Sequence, residues 1–98
     1  MKCDLHIHSS YSSGTQSLED IMLEAKEKGI DLISITDDDT TAAYDELPQV
    51  TEKHGVAWLR GLQVTSMFGE MLFRFVVYGY NPTNEKLQEL LALNRKEW

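Results

Sequence analysis

The stretch SLEDIMLEAKEKG, residues 17–29, lies between two short apolar runs, KCDLHIH and DLISIT. That alternation constrains the fold more than any other feature of the chain. Leu18, Ile21, Met22 and Ala25 form an apolar stripe at helical spacing. Ser17 stands three residues before Asp20 as a capping residue, Lys26 and Lys28 complement the dipole of the last turn, and Gly29 closes the helix. The flanking runs are too short for helices and rich in branched apolar residues, so they read as strands. Strand, helix, strand in this order predicts a parallel pair with a right-handed crossover. The pattern continues. TAAYDELPQVTEKHG reads as a second helix, kinked or divided at Pro48. VAWLRGLQVTS reads as a third strand interrupted at Gly61, MFGE as a turn, and MLFRFVVYGY as a fourth strand. NPTNEKLQELLALNRKEW opens with turn chemistry and continues as a helix carrying Leu87, Leu90 and Leu91. The expected architecture is α/β: a mainly parallel sheet with flanking helices, in one domain over residues 1–98.

In such sheets, function gathers beyond the carboxyl ends of the strands. Those ends carry His6 and His8, then Asp37, Asp38 and Asp39, then Gln63. Side chains two apart on a strand point the same way, so Asp4, His6 and His8 share a face. One strand thereby presents two imidazoles to one metal ion; the plainer alternative is a half-buried strand with a wet face. Three adjacent carboxylates repel one another, and a cation, metal or arginine, relieves the repulsion. His54, just before Gly55, reads as a helix-end histidine that complements the dipole.

The bulk composition excludes several classes. A formal charge of -7 argues against nucleic acid and anionic membrane surfaces, which attract basic patches. It leaves an anionic substrate open, because a bound cation reverses the local field. Cys3 is the one cysteine, so no internal disulfide forms and a reducing cytoplasm is the expected home. No apolar run approaches the ~18–20 residues of a membrane span, and the N-terminus lacks a signal-peptide pattern.

DLHIHSSYSSGTQSLEDIMLEAKEKGIDLISITDDDTTAAYDEL, then GLQVTS, then RFVVYGY together resemble the polymerase and histidinol phosphatase (PHP) family. The resemblance implies the N-terminal half of a distorted (β/α)7 barrel. It also implies two or three divalent metals (zinc, manganese or iron) and hydrolysis of phosphate esters. Asp4, His6 and His8 match the opening family motif, in which the two histidines bind metal.

Four positions depart from the family pattern. Ser13 stands where the family carries an aspartate, Asp38 where it carries a histidine, and Gln63 where it carries a bridging glutamate. A histidine ligand of the fourth strand is replaced by Arg74, counting forward from Gly61, or by Val76, counting back from Gly79-Tyr80. A glutamine cannot cancel the charge of paired ions, and guanidinium is a donor and never a ligand. The expected metal site is therefore reduced to His6, His8 and Asp38 with weak or partial occupancy. Asp4, Ser13, Asp37, Asp39, Gln63 and Arg74 are the supporting or substrate-facing positions, and Arg74 is expected to pair with Asp38 or Asp37. The resulting expectation is a phosphoesterase scaffold with impaired hydrolysis. The alternatives are a non-catalytic binding or assembly module, or one segment of a split enzyme. An incomplete barrel exposes a strand edge along MLFRFVVYGY, which predicts a homo-oligomer held by that strand or by the final helix with Leu87, Leu90, Leu91 and Trp98.

Overall fold

The computed structural model describes residues 1–97, so Trp98 and its expected part in assembly lie outside the described residues. Strand β1 (Cys3–Ile7) is followed by α1 (Leu18–Glu27) and β2 (Leu32–Ile35). A 3-10 turn (Ala42–Asp45), α2 (Leu47–His54), β3 (Ala57–Trp58), β4 (Gly61–Phe68), β5 (Met71–Tyr78) and α3 (Glu85–Glu97) complete the order. β1, β2 and β3 form a parallel sheet in that spatial order, while β4 and β5 form an antiparallel hairpin. The α/β architecture is as expected.

α1 starts where the sequence places it. The Ser17 side chain accepts from the Asp20 amide at 3.2 Å, and Gly29 takes the left-handed φ of 69° that ends the helix. Its stripe of Leu18, Ile21, Met22 and Ala25 is buried against Ile33 and Ile35 of β2 and against Tyr44, Leu47 and Val56. Pro48 divides the second helical segment: the 3-10 turn precedes it and α2 begins beside it, where a missing amide hydrogen costs nothing.

The third strand, expected with an interruption at Gly61, is two separate strands. β3 pairs with the first half of β2, through Leu32–Ala57 and Ile33–Trp58. After Leu59 and Arg60 the chain moves up to the extension of β2, where Asp38 and Gln63 form an isolated parallel bridge. Gly61 is what permits the step. A Cβ there would lie 2.1 Å from Ser34 Oγ, so the chain passes β2 closer than any side chain allows. The Gly61 amide donates to Tyr44 Oη at 2.8 Å, and the Arg60 guanidinium lies over the Tyr44 and Trp58 rings at 5.2 and 5.4 Å.

The hairpin also turns later than MFGE implies. β4 runs through Phe68, and Gly69-Glu70 alone makes the turn, with φ 65° at Gly69. Gln63 is thereby paired with Val76, and Thr65 with Arg74.

Candidate functional site

The site forms beyond the ends of β1 and β2, beside the start of β4, where Gln63 bridges to Asp38. Beyond β1, residues Ser9 to Gln16 loop back over the end of β2. Gly14 makes the loop possible, since a Cβ there would fall 2.0 Å from the His8 carbonyl oxygen. Asp37 holds the loop down. Its carboxylate accepts from the Ser9 amide and Ser9 Oγ, both at 2.6 Å, and from Ser12 Oγ at 2.8 Å. Asp37 is 1% exposed, and these three donors take the place of solvent around its carboxylate.

Asp39 performs the matching task on the other side. It adopts φ 53°, and its Oδ1 accepts from the Thr65 amide and from Asn94 Nδ2, each at 2.9 Å. Asn94 also donates to the Thr65 carbonyl at 2.8 Å, and Arg95 Nη1 donates to the Asp39 carbonyl at 2.7 Å. Two acids of the DDD run thus fasten a loop and a helix to the sheet, and the third is left to face the histidines.

Asp38 is that third acid. Gln63 Nε2 donates to its Oδ1 at 2.7 Å, and Gln63 Oε1 lies 2.9 Å from His6 Nε2. Ser13 Oγ donates to its Oδ2 at 2.5 Å and lies 2.7 Å from His8 Nδ1. His8 Nδ1 is also 3.5 Å from Asp38 Oδ2. The two imidazoles have their centroids 5.3 Å apart. His6, His8, Ser13, Asp38 and Gln63 are therefore one connected group, with Asp37 and Asp39 supporting it from either side. Asp4 accepts from the His6 amide at 3.3 Å and borders, with His6 and His8, a cleft of about 260 Å³ between β1 and α1.

Arg74 is placed differently from the expectation. It is exposed on β5 opposite Thr65, and among the described residues the basic side chain beside Asp38 is His8, at 3.5 Å. Val76, directly opposite Gln63, is the residue at the counted-back position. The charge of Asp38 is met by an amide and a hydroxyl in place of a guanidinium. Ser9, Asn94 and Arg95 were not expected. Asn94 had a signal: an asparagine inside a leucine-rich helix is a poor helix former and needs a reason.

His6, His8 and Asp38 do not converge as a three-donor site. Gln63 stands between His6 and Asp38, and Ser13 between His8 and Asp38. Among the described residues no group of three or more His, Cys, Asp or Glu side chains is placed to hold a metal ion. Chemically, the connecting side chains are neutral, and both oxygens of the single central carboxylate are engaged. A cluster of several cations does not fit this donor set.

A family model described as "PHP domain" matches residues 4–98. The chain belongs to the PHP domain family. Among curated proteins, this PHP chain is 32% identical over 63 residues to a phosphoribosyl 1,2-cyclic phosphate 1,2-diphosphodiesterase of Eggerthella lenta, covering 64% of the chain and 24% of that protein. It is 27% identical over 84 residues to a 3',5'-nucleoside bisphosphate phosphatase of Chromobacterium violaceum, covering 86% and 30%. Among solved structures, a protein of Bifidobacterium adolescentis provisionally assigned as a metal-dependent phosphoesterase superposes with a TM-score of 0.90 at 28% identity, covering 98% of this chain and 34% of that one. An amidohydrolase of Chromobacterium violaceum, solved with bound sulfate and no metal, gives 0.89 at 26%, with coverage of 98% and 34%. The chain thus spans about a third or less of these relatives. Among the described residues, no helix is long and apolar enough to cross a membrane.

Proposed function

We propose that this chain carries part of a PHP-type phosphoester site in which metal-dependent hydrolysis is impaired. The observation that carries this reading is the engagement of Asp38. Its carboxylate is the central charge of the site, and Gln63 and Ser13 already satisfy both of its oxygens. Hydrolysis of a phosphate ester by paired cations needs those ions clamped and their repulsion offset by carboxylates. This chain offers an amide and a hydroxyl in those places. A divalent ion, whether zinc, manganese or iron, would be held weakly and in part. The substrate class consistent with the relatives is a small phosphate ester, handled in the cytoplasm. The Chromobacterium relative holds sulfate with no metal, which supports anion binding by such a scaffold without ions.

The exposed apolar face of the hairpin favours a second reading, a module that acts by assembly or as one segment of a larger PHP enzyme. The test that separates them is turnover of p-nitrophenyl phosphate with manganese or zinc, together with metal content after chelator-free purification. Negligible turnover and sub-stoichiometric metal are expected. Ser13→Asp, Asp38→His and Gln63→Glu combined with Val76→His should raise metal binding. Robust metal-dependent turnover by the unaltered chain would overturn the reading.

A further inference from the structure

The hydrogen-bond chain through the site has a direction, and that direction fixes where two protons sit. At neutral pH an ionised aspartate only accepts, so both neighbours of Asp38 donate to it. For Gln63 this places the amide NH2 at Asp38 and turns the carbonyl oxygen to His6. A carbonyl oxygen also only accepts, so the proton of the 2.9 Å contact belongs to His6 Nε2. For Ser13 the one hydroxyl proton goes to Asp38 Oδ2, and what remains on Oγ is lone pairs. The proton of the 2.7 Å contact then belongs to His8 Nδ1. The 3.5 Å approach of His8 Nδ1 to Asp38 Oδ2 has the same sign.

We propose that Asp38, acting through Gln63 and Ser13, locks the two histidines in opposite tautomers, so that of their two Nε2 atoms only that of His8 offers a lone pair. His6 keeps its proton on Nε2, which neutral imidazole favours in water. His8 is held in the less favoured form, with the proton on Nδ1. The environment of His8 agrees independently: its Nε2 is buried and has no hydrogen-bond partner among the described residues. A buried imidazole nitrogen left unpaired is an acceptor awaiting a ligand, either a hydrogen-bond donor or a single divalent cation. Zinc therefore meets the Nε2 of His8 alone, and engages the Nε2 of His6 only by breaking the His6–Gln63 bond. Ser13 and Gln63 are positioning residues. The proposal rests on the reading of a depleted site only for this consequence on zinc; the tautomers follow from the hydrogen bonds alone.

Long-range 15N–1H correlation spectra of the labelled chain, recorded where imidazole is neutral, read each nitrogen directly. His54 serves as internal reference, because its Nε2 donates to Glu19 at 2.8 Å. The expected result is a protonated Nδ1 and bare Nε2 at His8, with the reverse at His6. Ser13→Ala should release His8 to the Nε2-protonated form and leave His6 unchanged, while Ser13→Thr keeps the hydroxyl and should keep the lock. Added zinc should shift His8 Nε2 before it shifts His6. A wild-type His8 protonated at Nε2 would overturn the proposal, as would parallel shifts of both rings with zinc. Neither result depends on turnover, so the tautomer lock can fail while the reading of impaired hydrolysis stands.

Discussion

The first 58 residues and the β4–β5 hairpin are both rich in apolar side chains, the hairpin in the larger proportion, and use them in opposite ways. In the first region the α1 stripe, Ile33 and Ile35 of β2 and Leu47 at the start of α2 are packed into one cluster; Met22, Ile33, Ile35 and Leu47 have no exposure at all. In the hairpin, Met67, Phe68, Met71, Leu72, Phe73, Phe75 and Val77 are exposed, and Phe68 reaches 80%. An isolated sheet face of this kind seeks cover. The contrast teaches that the two regions owe their order to different things: the first to its own core, the second to polar fastenings at its base and to whatever covers its apolar face.

The sharpest way to break the comparison is to attack each region with one substitution. Leu47→Ala, in the buried cluster, should cost ~2–5 kcal/mol in denaturant unfolding. Phe75→Lys should stay within ~0.5 kcal/mol of the parent, as exposed substitutions do. If the face is covered by a second copy, as proposed for the exposed strand edge, the same variant should move the chain from dimer to monomer in light scattering at micromolar concentration, because one charge interrupts the apolar face. A parent chain that is already monomeric would mean that the hairpin needs no cover.

A smaller effect separates the fastenings from the core. Asn94→Leu removes the donors to Asp39 and to the Thr65 carbonyl, at about 1–3 kcal/mol for buried groups left unsatisfied. Amide hydrogen exchange should accelerate across β4, β5 and α3, with β1 and β2 still protected. Uniform loss of protection would show that the two regions unfold as one.

The smallest effect lies wholly within the first region. His54 and, after it, Lys53 bond to Glu19, joining α2 to α1 and holding the Glu19 carboxyl below its ordinary range. A carboxyl depressed in the folded chain adds stability that is complete above its unfolded value and is lost as pH falls through the folded value. Glu19→Gln should therefore lower the melting temperature slightly at neutral pH, and the gap to the parent should close under acid. A gap that persists at low pH would assign the effect to packing.

The elements of the first region were legible because local signals and burial agree there: the Ser17 cap, the α1 stripe, the apolar run of β2 and the break at Pro48 all appear as the sequence implies. The meeting of the histidines with the DDD run was legible for the same reason, since strand ends set it; Gln63 instead joins them from the start of β4, through its bridge to Asp38. The interruption at Gly61 was expected, but that its two halves join different sheets was not, because the step at Leu59–Arg60 depends on the close approach of Gly61 to Ser34, a contact between segments far apart in sequence. Arg74 was misplaced because hairpin register depends on turn length. A turn of four residues puts it opposite Gln63, and the observed turn of two residues slides that partner to Val76. Which acid of three faces the histidines needed the alternation at the end of β2, and what meets its charge needed the side chains themselves.

The Asp39–Asn94 bond carries a consequence for how the chain reaches its final state. It joins residues 55 apart in sequence, and through Thr65 it sets the edge from which Gln63 reaches Asp38. During synthesis, the histidines, the DDD run and the glutamine all leave the ribosome before the asparagine that secures them. The first region can fold early on local contacts, while the site waits for long-range closure, which is slow because chain entropy is lost before contacts reward it. The order of events thus runs against the order of the residues: the earliest part of the chain to emerge holds the last part of the structure to set.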